Sequence, residues 1–412
     1  MKGSRHFRVS ALLSACVLSL IATAGWSQSL TWLGTLPGYT SSEAYGVSAD
    51  GSVVVGLARN AAGEYRAFRW TAAGGMQDLG TLGGRDSAAR GVSADGSVEV
   101  GWAYNAAGRF RAFRWTAAGG MQDLGTLGGS TSWAFGVTAD GSVVVGSARN
   151  AAGYGRAFRW TASGGMQDLG TLPGYYNYSI AFGVSADGSV VVGRAGDGIY
   201  SARAFRWTAS GGMQDLGTLG GSTSWALGVS ADGSVVVGWA ASNLVDQYPA
   251  FRWTAAGGMQ NLGMLGGNRS WANGVSADGS VVVGAAETPP WGFYHAFRWT
   301  ASGGMEDLNL TYASLLTDGS LLWEAFAISP DGRYIVGDGW NAATRRVEAF
   351  LLDTGFPLRG DVDRNGCVDD ADLLQVLFAF GGRGYRNEDL NWDGTVDDAD
   401  LLEVLFNFGS GC

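Results

Sequence analysis

Two short acidic segments near the C-terminus carry the side chains best suited to chemistry in this 412-residue chain. In each segment, oxygen-bearing side chains stand at positions 1, 3, 5, 9 and 12, and glycine stands at position 6. Oxygen ligands in that number suit Ca²⁺, and the glycine permits the sharp turn that gathers them. In this ligand scheme the residue at position 7 contributes only its backbone carbonyl oxygen. The predicted ligands of two calcium ions are Asp361, Asp363, Asn365, Cys367, Asp369 and Asp372 in the first loop, and Asp389, Asn391, Asp393, Thr395, Asp397 and Asp400 in the second.

A single short helix is predicted after each loop, from Leu373 to Phe378 and from Leu401 to Phe406. With the duplicated ligand spacing, and with aspartate at position 12 where an EF-hand has glutamate, residues 361–412 resemble a type I dockerin. The resemblance implies two bound Ca²⁺ ions and a docking role, since dockerins bind cohesin domains and attach secreted modules to a scaffold. The predicted helices lack basic residues, and Asp-Ala pairs follow position 9 where dockerins often carry Ser and Thr. The expected partner is therefore a cohesin-like protein or another surface protein.

Two cysteines lie in this segment, Cys367 and Cys412, with 44 residues between them. In an oxidising compartment two thiols in one small module can pair, and such a bond stabilises the module where the geometry allows it. The spacing alone leaves a disulfide and two free thiols both open.

The rest of the composition excludes several kinds of chemistry. Lys2 is the only lysine, and His6 and His295 are the only histidines. Lysine Schiff bases, histidine-rich metal cages and Walker-type phosphate binding are therefore excluded for the chain beyond its first residues. The net charge of −10 argues against a nucleic-acid partner, because neutralising phosphates takes clustered Lys and Arg.

The first 24 residues have the pattern of a secretory signal peptide. Three basic residues, Lys2, Arg5 and Arg8, precede an apolar run over residues 9–24. This run ends in the small residues Ala22-Thr23-Ala24. We expect cleavage after Ala24 and a secreted, extracellular or cell-surface protein without a membrane span. Leu13-Ser14-Ala15-Cys16 also resembles a bacterial lipobox, so a lipid anchor on Cys16 is a minor alternative.

Between these segments, residues 30–355 repeat one unit seven times, at steps of 45 to 53 residues. Each unit is predicted to form four antiparallel strands. In the first unit a short strand leads into the turn Asp50-Gly51, and a β-branched strand over residues 53–55 follows. The alternating AFRW strand is the third, and residues 76–82 form the fourth. The element GVSADGSVVVG or a close variant starts at Gly46, Gly91, Gly136, Gly183, Gly228, Gly274 and Ala327, and AFRW or AFLL starts at Ala67, Ala112, Ala157, Ala204, Ala250, Ala296 and Ala349.

Four strands in each of seven units predict an all-β fold, a seven-bladed β-propeller. The first LGTL element, at Leu33, has no AFRW before it, and the last AFLL has no LGTL after it. The N-terminal strand is therefore expected to complete the last blade and close the ring. The small calcium-binding domain at residues 361–412, with its helices, follows the propeller.

The repeats resemble those of HAF-repeat extracellular proteins, whose His-Ala-Phe motif occurs literally once, at His295-Ala296-Phe297. The DG turn, the FRW strand and the GG turn carry the resemblance across most of the chain. It implies a secreted bacterial protein, and no activity or catalytic residues come with it.

The loops between second and third strands, and the loops between units, vary more in sequence than the rest of the repeat. Both sets of loops emerge on one face of a propeller, which is the predicted ligand-binding face. Its aromatic side chains suit a glycan or a peptide, although repeat loops also drift freely. The candidate ligand-binding residues are Tyr39, Tyr175, Tyr176, Tyr178, Trp291 and Tyr294, with Trp133, Trp225 and Trp271 nearby.

Three functions remain open. The first is a secreted, non-catalytic binding or surface protein, whose dockerin-like tail binds calcium and docks while the propeller contacts a glycan or protein. The second is a propeller glycoside hydrolase or polysaccharide lyase; glycoside hydrolysis needs two carboxylates close together, and no pattern pairs the non-repeat acids Glu43, Asp197, Asp246, Glu287 and Glu324. The third is a structural component of the cell envelope. No catalytic residues are assigned.

Overall fold

The computed structural model describes residues 28–175, 178–197, 201–290 and 292–412. The predicted signal peptide, including Cys16 and Ala24, lies outside these residues. Among the residues described, no helix has the length and apolar character needed to cross a lipid bilayer.

Strands dominate the described part of the chain up to residue 353. In chain order they are β1 Ser29–Trp32, β2 Ser41–Val47, β3 Val54–Arg59, β4 Tyr65–Thr71, β5 Gly75–Asp78, β6 Gly83–Val92, β7 Glu99–Asn105, β8 Phe110–Thr116, β9 Gly120–Asp123, β10 Gly128–Val137, β11 Val143–Asn150, β12 Gly155–Thr161, β13 Gly165–Asp168, β14 Tyr178–Val184, β15 Val190–Gly196, β16 Arg203–Thr208, β17 Gly212–Asp215, β18 Gly220–Val229, β19 Val235–Ser242, β20 Ala250–Thr254, β21 Gly258–Asn261, β22 Ser270–Val275, β23 Val281–Thr288, β24 Phe293–Thr300, β25 Gly304–Asp307, β26 Leu321–Ile328, β27 Tyr334–Asn341 and β28 Arg346–Asp353.

Helices are few: α1 spans Leu308–Thr311, α2 spans Asp370–Ala379 and α3 spans Asp398–Asn407. α1 occupies the place where earlier units have LGTL, since the diverged LNLT sequence folds into one helical turn. Asp307 caps this turn by accepting a hydrogen bond from the backbone N–H of Asn309 at 2.9 Å.

The strands described here form five four-stranded sheets and one eight-stranded sheet, β10 to β17, in which two groups of four meet at a single parallel bridge between Gly155 and Tyr178. Within each group the strands are antiparallel and follow one another in chain order. β1 pairs with β28 in the last sheet, so the N-terminal strand completes the sheet made by β26 to β28.

The turn between the first two strands of each unit shows why the repeat folds locally. Gly51 adopts a left-handed φ of 72°, while Asp50 accepts hydrogen bonds from the Ser48 hydroxyl and the Ser52 N–H. The Ser48 hydroxyl oxygen in turn accepts a hydrogen bond from the N–H of Val53. The side chains that vary least between units thus tie the turn together.

Hydrophobic clusters lie between consecutive sheets, and one of them joins the last sheet to the first. The AFRW phenylalanines are the largest fully buried side chains in these clusters, as the alternation of this strand predicted. The cluster between the last and first sheets contains Phe68, Val54 and Ala44 from one side and Val336 and Ala349 from the other. The sheets therefore close into a ring.

Hydrogen bonds between neighbouring sheets follow the repeat. A serine in each of several first strands accepts a hydrogen bond from the AFRW alanine N–H of the preceding unit, as Ser132 does from Ala112 at 2.9 Å. The same bond joins the ends of the ring, from the Ala349 N–H to the Ser42 hydroxyl at 2.9 Å. The AFRW arginines reach the next unit as well: Arg206 donates to the carbonyl of Gly233 at 3.1 Å. These arginines therefore have a structural role.

The histidine position of the repeat also makes a structural contact. His295 Nδ1 lies 2.7 Å from the carboxylate of Asp307 at the end of the fourth strand. Arg111 stands at the equivalent position and pairs with Asp123 at 2.9 Å. Two different residue types thus pair with the same acidic position of the fourth strand.

Candidate functional site: acidic loops and channel mouth

The first acidic loop folds around the carboxylates of Asp361 and Asp372, which are 4% and 0% exposed. Asp361 accepts hydrogen bonds from the N–H groups of Asn365 and Gly366, and Asp372 accepts from those of Val362, Asp363 and Asp369. One ligand atom each from Asp361, Asp363 and Asp372 lies within 4.8 Å of the others. This acidic triad could hold a metal ion.

The second loop repeats these contacts residue for residue. Asp389 and Asp400 are fully buried, Gly394 donates to Asp389 at 2.9 Å, and Leu390 donates to Asp400 at 2.6 Å. Gly366 and Gly394, at position 6 of the two loops, have left-handed φ values of 91° and 90°. The sequence equivalence of the two loops is therefore also a structural equivalence.

Burial makes these carboxylates costly to ionise in the absence of a cation. Burial, aided by the nearby charges of Asp400 and Asp393, raises the pKa of Asp389 to about 7. Burial also raises the pKa of Asp361, with Asp372 and Asp363 adding to the shift. Several buried carboxylates that face one another fit a divalent cation with oxygen ligands. The donor set present therefore fits calcium.

The remaining predicted ligands lie in the same loops. Asn365 and Asp393, at position 5, each place an oxygen next to the N–H at position 7, which belongs to Cys367 and Thr395 respectively. Asp369 and Asp397, at position 9, cap α2 and α3 by accepting hydrogen bonds from Ala371 and Ala399 at 2.8 Å. Position 9 thus also starts each helix. Asn391, at position 3, hydrogen-bonds to Asp393.

Cys367 and Cys412 form a disulfide, with their Cα atoms 4.7 Å apart. The bond links the first loop to the C-terminal residue. Between the two helices, Val368, Val376, Val396 and Val404 form a small, fully buried core. The module thus combines a compact apolar core with one covalent link.

The outer faces of α2, α3 and the residues that follow them carry an unusual amount of exposed apolar surface. Phe378 and Phe406 occupy equivalent places in the two helices and are 84% and 81% exposed. The other large apolar residues of this surface are 46% to 48% exposed, and they are Leu374, Leu377, Phe380, Leu402, Leu405 and Phe408. We call these eight residues the apolar helix surface. Exposed apolar patches are common at interaction surfaces.

The acidic module rests against the ring of sheets at the end where the DG turns lie. Arg364 Nη1 is 2.6 Å from the Asp278 carboxylate of a DG turn, and Arg359 donates to the Asp50 carbonyl at 2.9 Å. Trp392 is only 6% exposed and lines a cavity of about 230 Å³ with the inner residues of the turns, such as Ala49 and Pro330. The axial channel of the ring is covered at this end.

The four predicted ligand-binding residues that the structure describes do not gather into one site. Tyr39 and Tyr175 stand in equivalent turns and pack against the hydrophobic clusters between sheets. Tyr178 lies near Arg194, and Tyr294 lies against Trp271 with ring centroids 4.9 Å apart. Tyr176 and Trp291 lie outside the described residues.

The structure places residues around the channel that the sequence did not bring together, although Trp133, Trp225 and Trp271 were expected near the ligand-binding face. One residue of each inner strand, just before the constant Gly-Val, lines a cavity of about 340 Å³. We call this set the channel ring: Tyr45, Arg90, Phe135, Phe182, Leu227, Asn273 and Phe326. A second set of residues lies two positions earlier in the same strands, further from the acidic module. We call this set the mouth ring: Glu43, Ala88, Trp133, Ile180, Trp225, Trp271 and Glu324.

Carboxylates collect on one side of the mouth ring. Glu43 lies on β2 and Glu324 on β26, and Asp338 of β27 is directly opposite Glu324 in the strand register. Burial raises the pKa of Glu324 to about 7, and the charge of Glu43 adds to that shift. The pKa of Asp338 is also raised well above its usual value, by burial and by the charges of Glu43 and Glu324. The three carboxylates are therefore close enough for the charge of one to raise the pKa of another.

Polar neighbours hold this acidic side in place. Asn273 donates to the Glu324 carboxylate at 2.9 Å and to the carbonyl of Ala325 at 3.0 Å. The Tyr45 hydroxyl donates to Glu43, and the Arg90 guanidinium lies 3.9 Å from the centre of the Tyr45 ring. Of the non-repeat acids in the sequence, Glu43 and Glu324 are thus close together. Glu287 instead accepts loop N–H groups from Asn268 and Gly292.

No protein-family model matches this chain, and no curated protein matches it. Solved structures to which the chain is similar include oligogalacturonate lyase in complex with manganese (TM-score 0.51, 13% identity, covering 79% of this chain and 92% of that one). Others are the β-propeller domain of the Trilobed protease from Pyrococcus furiosus (TM-score 0.47, 10% identity, covering 76% and 96%) and TolB from Acinetobacter baumannii (TM-score 0.43, 12% identity, covering 74% and 81%). At these identities the similarity concerns the fold alone. The chain is a β-propeller protein, with an acidic module after the last sheet.

Proposed function

We propose that the protein is a secreted, non-catalytic binding protein. Its sheets form a seven-bladed propeller of HAF-type repeats that contacts a glycan or protein. The dockerin-like module at residues 361–412 binds two Ca²⁺ ions and docks to a partner, a cohesin-like or another surface protein. The duplicated cradle of buried carboxylates in the two acidic loops is the observation that carries this proposal.

In this proposal the first ion is held by Asp361, Asp363, Asn365, Asp369, Asp372 and the carbonyl of Cys367, and the second by their equivalents from Asp389 to Asp400. Calcium supplies positive charge that compensates the carboxylates buried in each loop. Asp369 and Asp397 also cap α2 and α3, so ligand positions and helix starts coincide. Ordering a loop therefore also fixes the start of its helix.

The apolar helix surface is the proposed docking face. Large apolar side chains stand at matching places on the two helices, and the segment from residue 361 to the end has 12 acidic residues against 3 arginines. We expect the partner to offer an apolar surface with basic residues at its rim, since opposite charges around an apolar contact favour encounter.

Capture with the full mature chain tests this proposal. The bait is immobilised and exposed to secreted and envelope fractions of the source organism, with calcium or with a chelator. A protein retained only with calcium, and lost with the double variant Phe378→Ala/Phe406→Ala, supports docking. Exposed aromatics elsewhere provide the matched control, so Phe293→Ala, which is 62% exposed on the propeller, should leave capture unchanged.

A second function is favoured by the acidic side of the channel mouth. Glu43, Glu324 and Asp338 place three carboxylates near one another, and burial raises the pKa of Glu324 and of Asp338. A glycoside hydrolase requires two carboxylates close together. Release of reducing ends from a polysaccharide panel by the purified protein, abolished in Glu324→Gln, is its test. A third role, as a structural envelope component, predicts that cell fractionation finds the protein wholly in the envelope without a soluble ligand.

A further inference from the structure

The mouth ring is divided into two chemically different sides. Glu43 and Glu324 stand on adjacent inner strands, β2 and β26, where the last sheet meets the first. The tryptophans stand on β10, β18 and β22. β10 and β18 belong to units removed from that junction, whereas β22 belongs to the sheet next to the last one. Since the units follow one another around the ring, carboxylates and indole rings face one opening from different directions.

The indole side has its own charged group. Arg194 of β15 is 8% exposed, and its guanidinium carbon lies 3.6 Å from the centre of the Trp225 ring. The Tyr178 ring lies on another side of this guanidinium, at 5.4 Å. Phe182 stacks on Trp225 with ring centroids 6.3 Å apart and planes 15° apart. Trp225 is therefore fixed between an aromatic ring and a cation.

Several hydrogen-bond donors at this place have nothing to bind. Arg194 Nε and Nη1 and the Trp225 indole Nε1 are buried and have no acceptor among the described residues. A buried donor without an acceptor costs free energy, so native proteins rarely keep three of them together without a ligand or water to bind them. Burial also lowers the pKa of Arg194, with no carboxylate among the groups that oppose this shift. These donors point to a ligand that carries acceptors.

We propose that the channel mouth is a binding site for a neutral oligosaccharide. This proposal names the site for the glycan-binding role of the propeller, and it rests on that proposed function. A sugar ring presents an apolar face that stacks on an indole ring, and hydroxyl groups that both donate and accept hydrogen bonds. Phe182 and Arg194 already flank the Trp225 ring, so Trp133 and Trp271 are the proposed stacking residues and Trp225 contributes its indole N–H. Its hydroxyls donate to Glu43 and Glu324 and accept from Arg194 and Trp225, whose buried N–H groups turn toward the bound sugar.

Other ligand classes match only one side of this opening. An anionic ligand would meet three carboxylates, and a cationic ligand would meet the Arg194 guanidinium, whose charge no carboxylate of the described residues neutralises. A purely apolar ligand would leave donors and carboxylates without partners. A polyhydroxylated, uncharged ligand satisfies both sides, so it is the class that the side chains select.

The acidic module covers one end of the channel, so a ligand must enter from the other end. Trp392 lines the cavity between the inner turns, so a ligand reaches the channel ring from the mouth. The channel ring below carries Asn273 and Arg90 among apolar residues, and it forms a floor with few polar groups. We therefore expect one or two sugar units to enter while the rest of the chain crosses the mouth.

A glycan array of neutral and uronic-acid-bearing oligosaccharides, followed by fluorescence titration of the best binder, tests the proposal on the full mature chain. We expect a neutral oligosaccharide to bind and to change tryptophan emission. Trp225→Ala and Glu324→Gln should each weaken this binding about tenfold or more, since each removes one side of the contact. Phe378→Ala, on the apolar helix surface, is the matched control and should bind the sugar unchanged.

Hydrogen exchange of the wild-type protein provides a readout that does not depend on a variant folding. The bound sugar should slow exchange in β18 and β26 and leave α2 and α3 unchanged. Absence of any neutral binder, a preference for uronic-acid chains, or binding that survives both mouth substitutions would overturn the proposal. Calcium-dependent capture is read separately, so failure here leaves the docking role standing, and failure of docking leaves this site standing.

Discussion

Arg364 and Trp392 occupy the same place, position 4, in the two acidic loops, and both side chains contact the propeller. Each residue has a left-handed φ of 59°. Arg364 forms an ion pair of 2.6 Å with Asp278, and Trp392 is buried against the inner turns at the end of the channel. The loops proposed to bind calcium are thus also the part of the module that holds it on the propeller, which couples metal binding to the seating of the module.

Trp392→Ala should loosen the module far more than Arg364→Ala. Truncating a buried Trp costs about 3–5 kcal/mol, whereas a partly exposed ion pair contributes about 1 kcal/mol or less. Limited proteolysis of the calcium-loaded protein should therefore cut the 354–360 linker faster in Trp392→Ala than in Arg364→Ala or the wild type. Equal cleavage of all three proteins would show that Trp392 does not hold the module on the propeller.

Glu99→Val should stabilise the protein at neutral pH. Glu99 is fully buried where five other units carry valine and the last carries isoleucine, and only one of its carboxylate oxygens has a partner, Arg69 at 2.9 Å. The change removes a buried carboxylate oxygen without a partner, which costs about 1–3 kcal/mol, while Arg69 is 25% exposed and keeps a hydrogen bond to the Gly96 carbonyl. Val144→Glu, the reverse change in the next unit, is the matched comparison and should destabilise.

The gain from Glu99→Val should depend on pH. Burial raises the pKa of Glu99 from 4.5 to about 7, so the folded wild type binds more protons than the unfolded chain between these values. Wild-type stability therefore falls as pH rises from about 4.5 to 7, and the variant escapes this loss. Denaturant unfolding at pH 5 and pH 8 should show the larger gain at pH 8. An equal gain at both pH values would contradict the raised pKa.

Ser42→Ala should destabilise the ring as much as Ser132→Ala. Ser42 closes the ring by accepting from Ala349, and Ser132 makes the same bond between two consecutive sheets. Both serines also donate to a carbonyl at 2.6 Å, and both are fully buried. Leaving a buried N–H unpaired costs about 1–3 kcal/mol, so each variant should lose that much free energy of unfolding. Chemical unfolding of both variants measures this loss. A neutral Ser42→Ala beside a costly Ser132→Ala would mean that the ring ends are not joined in solution.

The repeat made most of the sheet architecture predictable. The DG turn and the AFRW strand recur with their spacing, and Phe68 and its equivalents occupy the buried positions that alternation predicts. The fourth strand was predicted too long: it ends at Asp78, whose carboxylate accepts the Gly80 N–H and turns the chain. The helical turn α1 was not predicted, because it replaces a strand-like element in one unit only.

The acidic loops were predictable because their ligands are close in sequence, whereas the channel mouth was not. Glu43, Glu324 and Asp338 come from opposite ends of the repeat region and meet only when the last sheet packs on the first. Arg194 could have been noticed, since the equivalent positions in other units hold Leu57, Trp102, Ser147, Trp239, Ala285 and Asp338. A variable position within an otherwise constant strand was the available signal.

Calcium titration of the chelator-treated, full-length mature protein by calorimetry tests the central claim most directly. We predict two bound ions in the wild type and one each in Asp361→Ala and Asp389→Ala. Asp398→Asn changes an exposed acid of the same module at a position without a ligand role, and it should still bind two. No binding by the wild type, or two ions bound by both loop variants, would contradict the assignment of the loops as calcium sites.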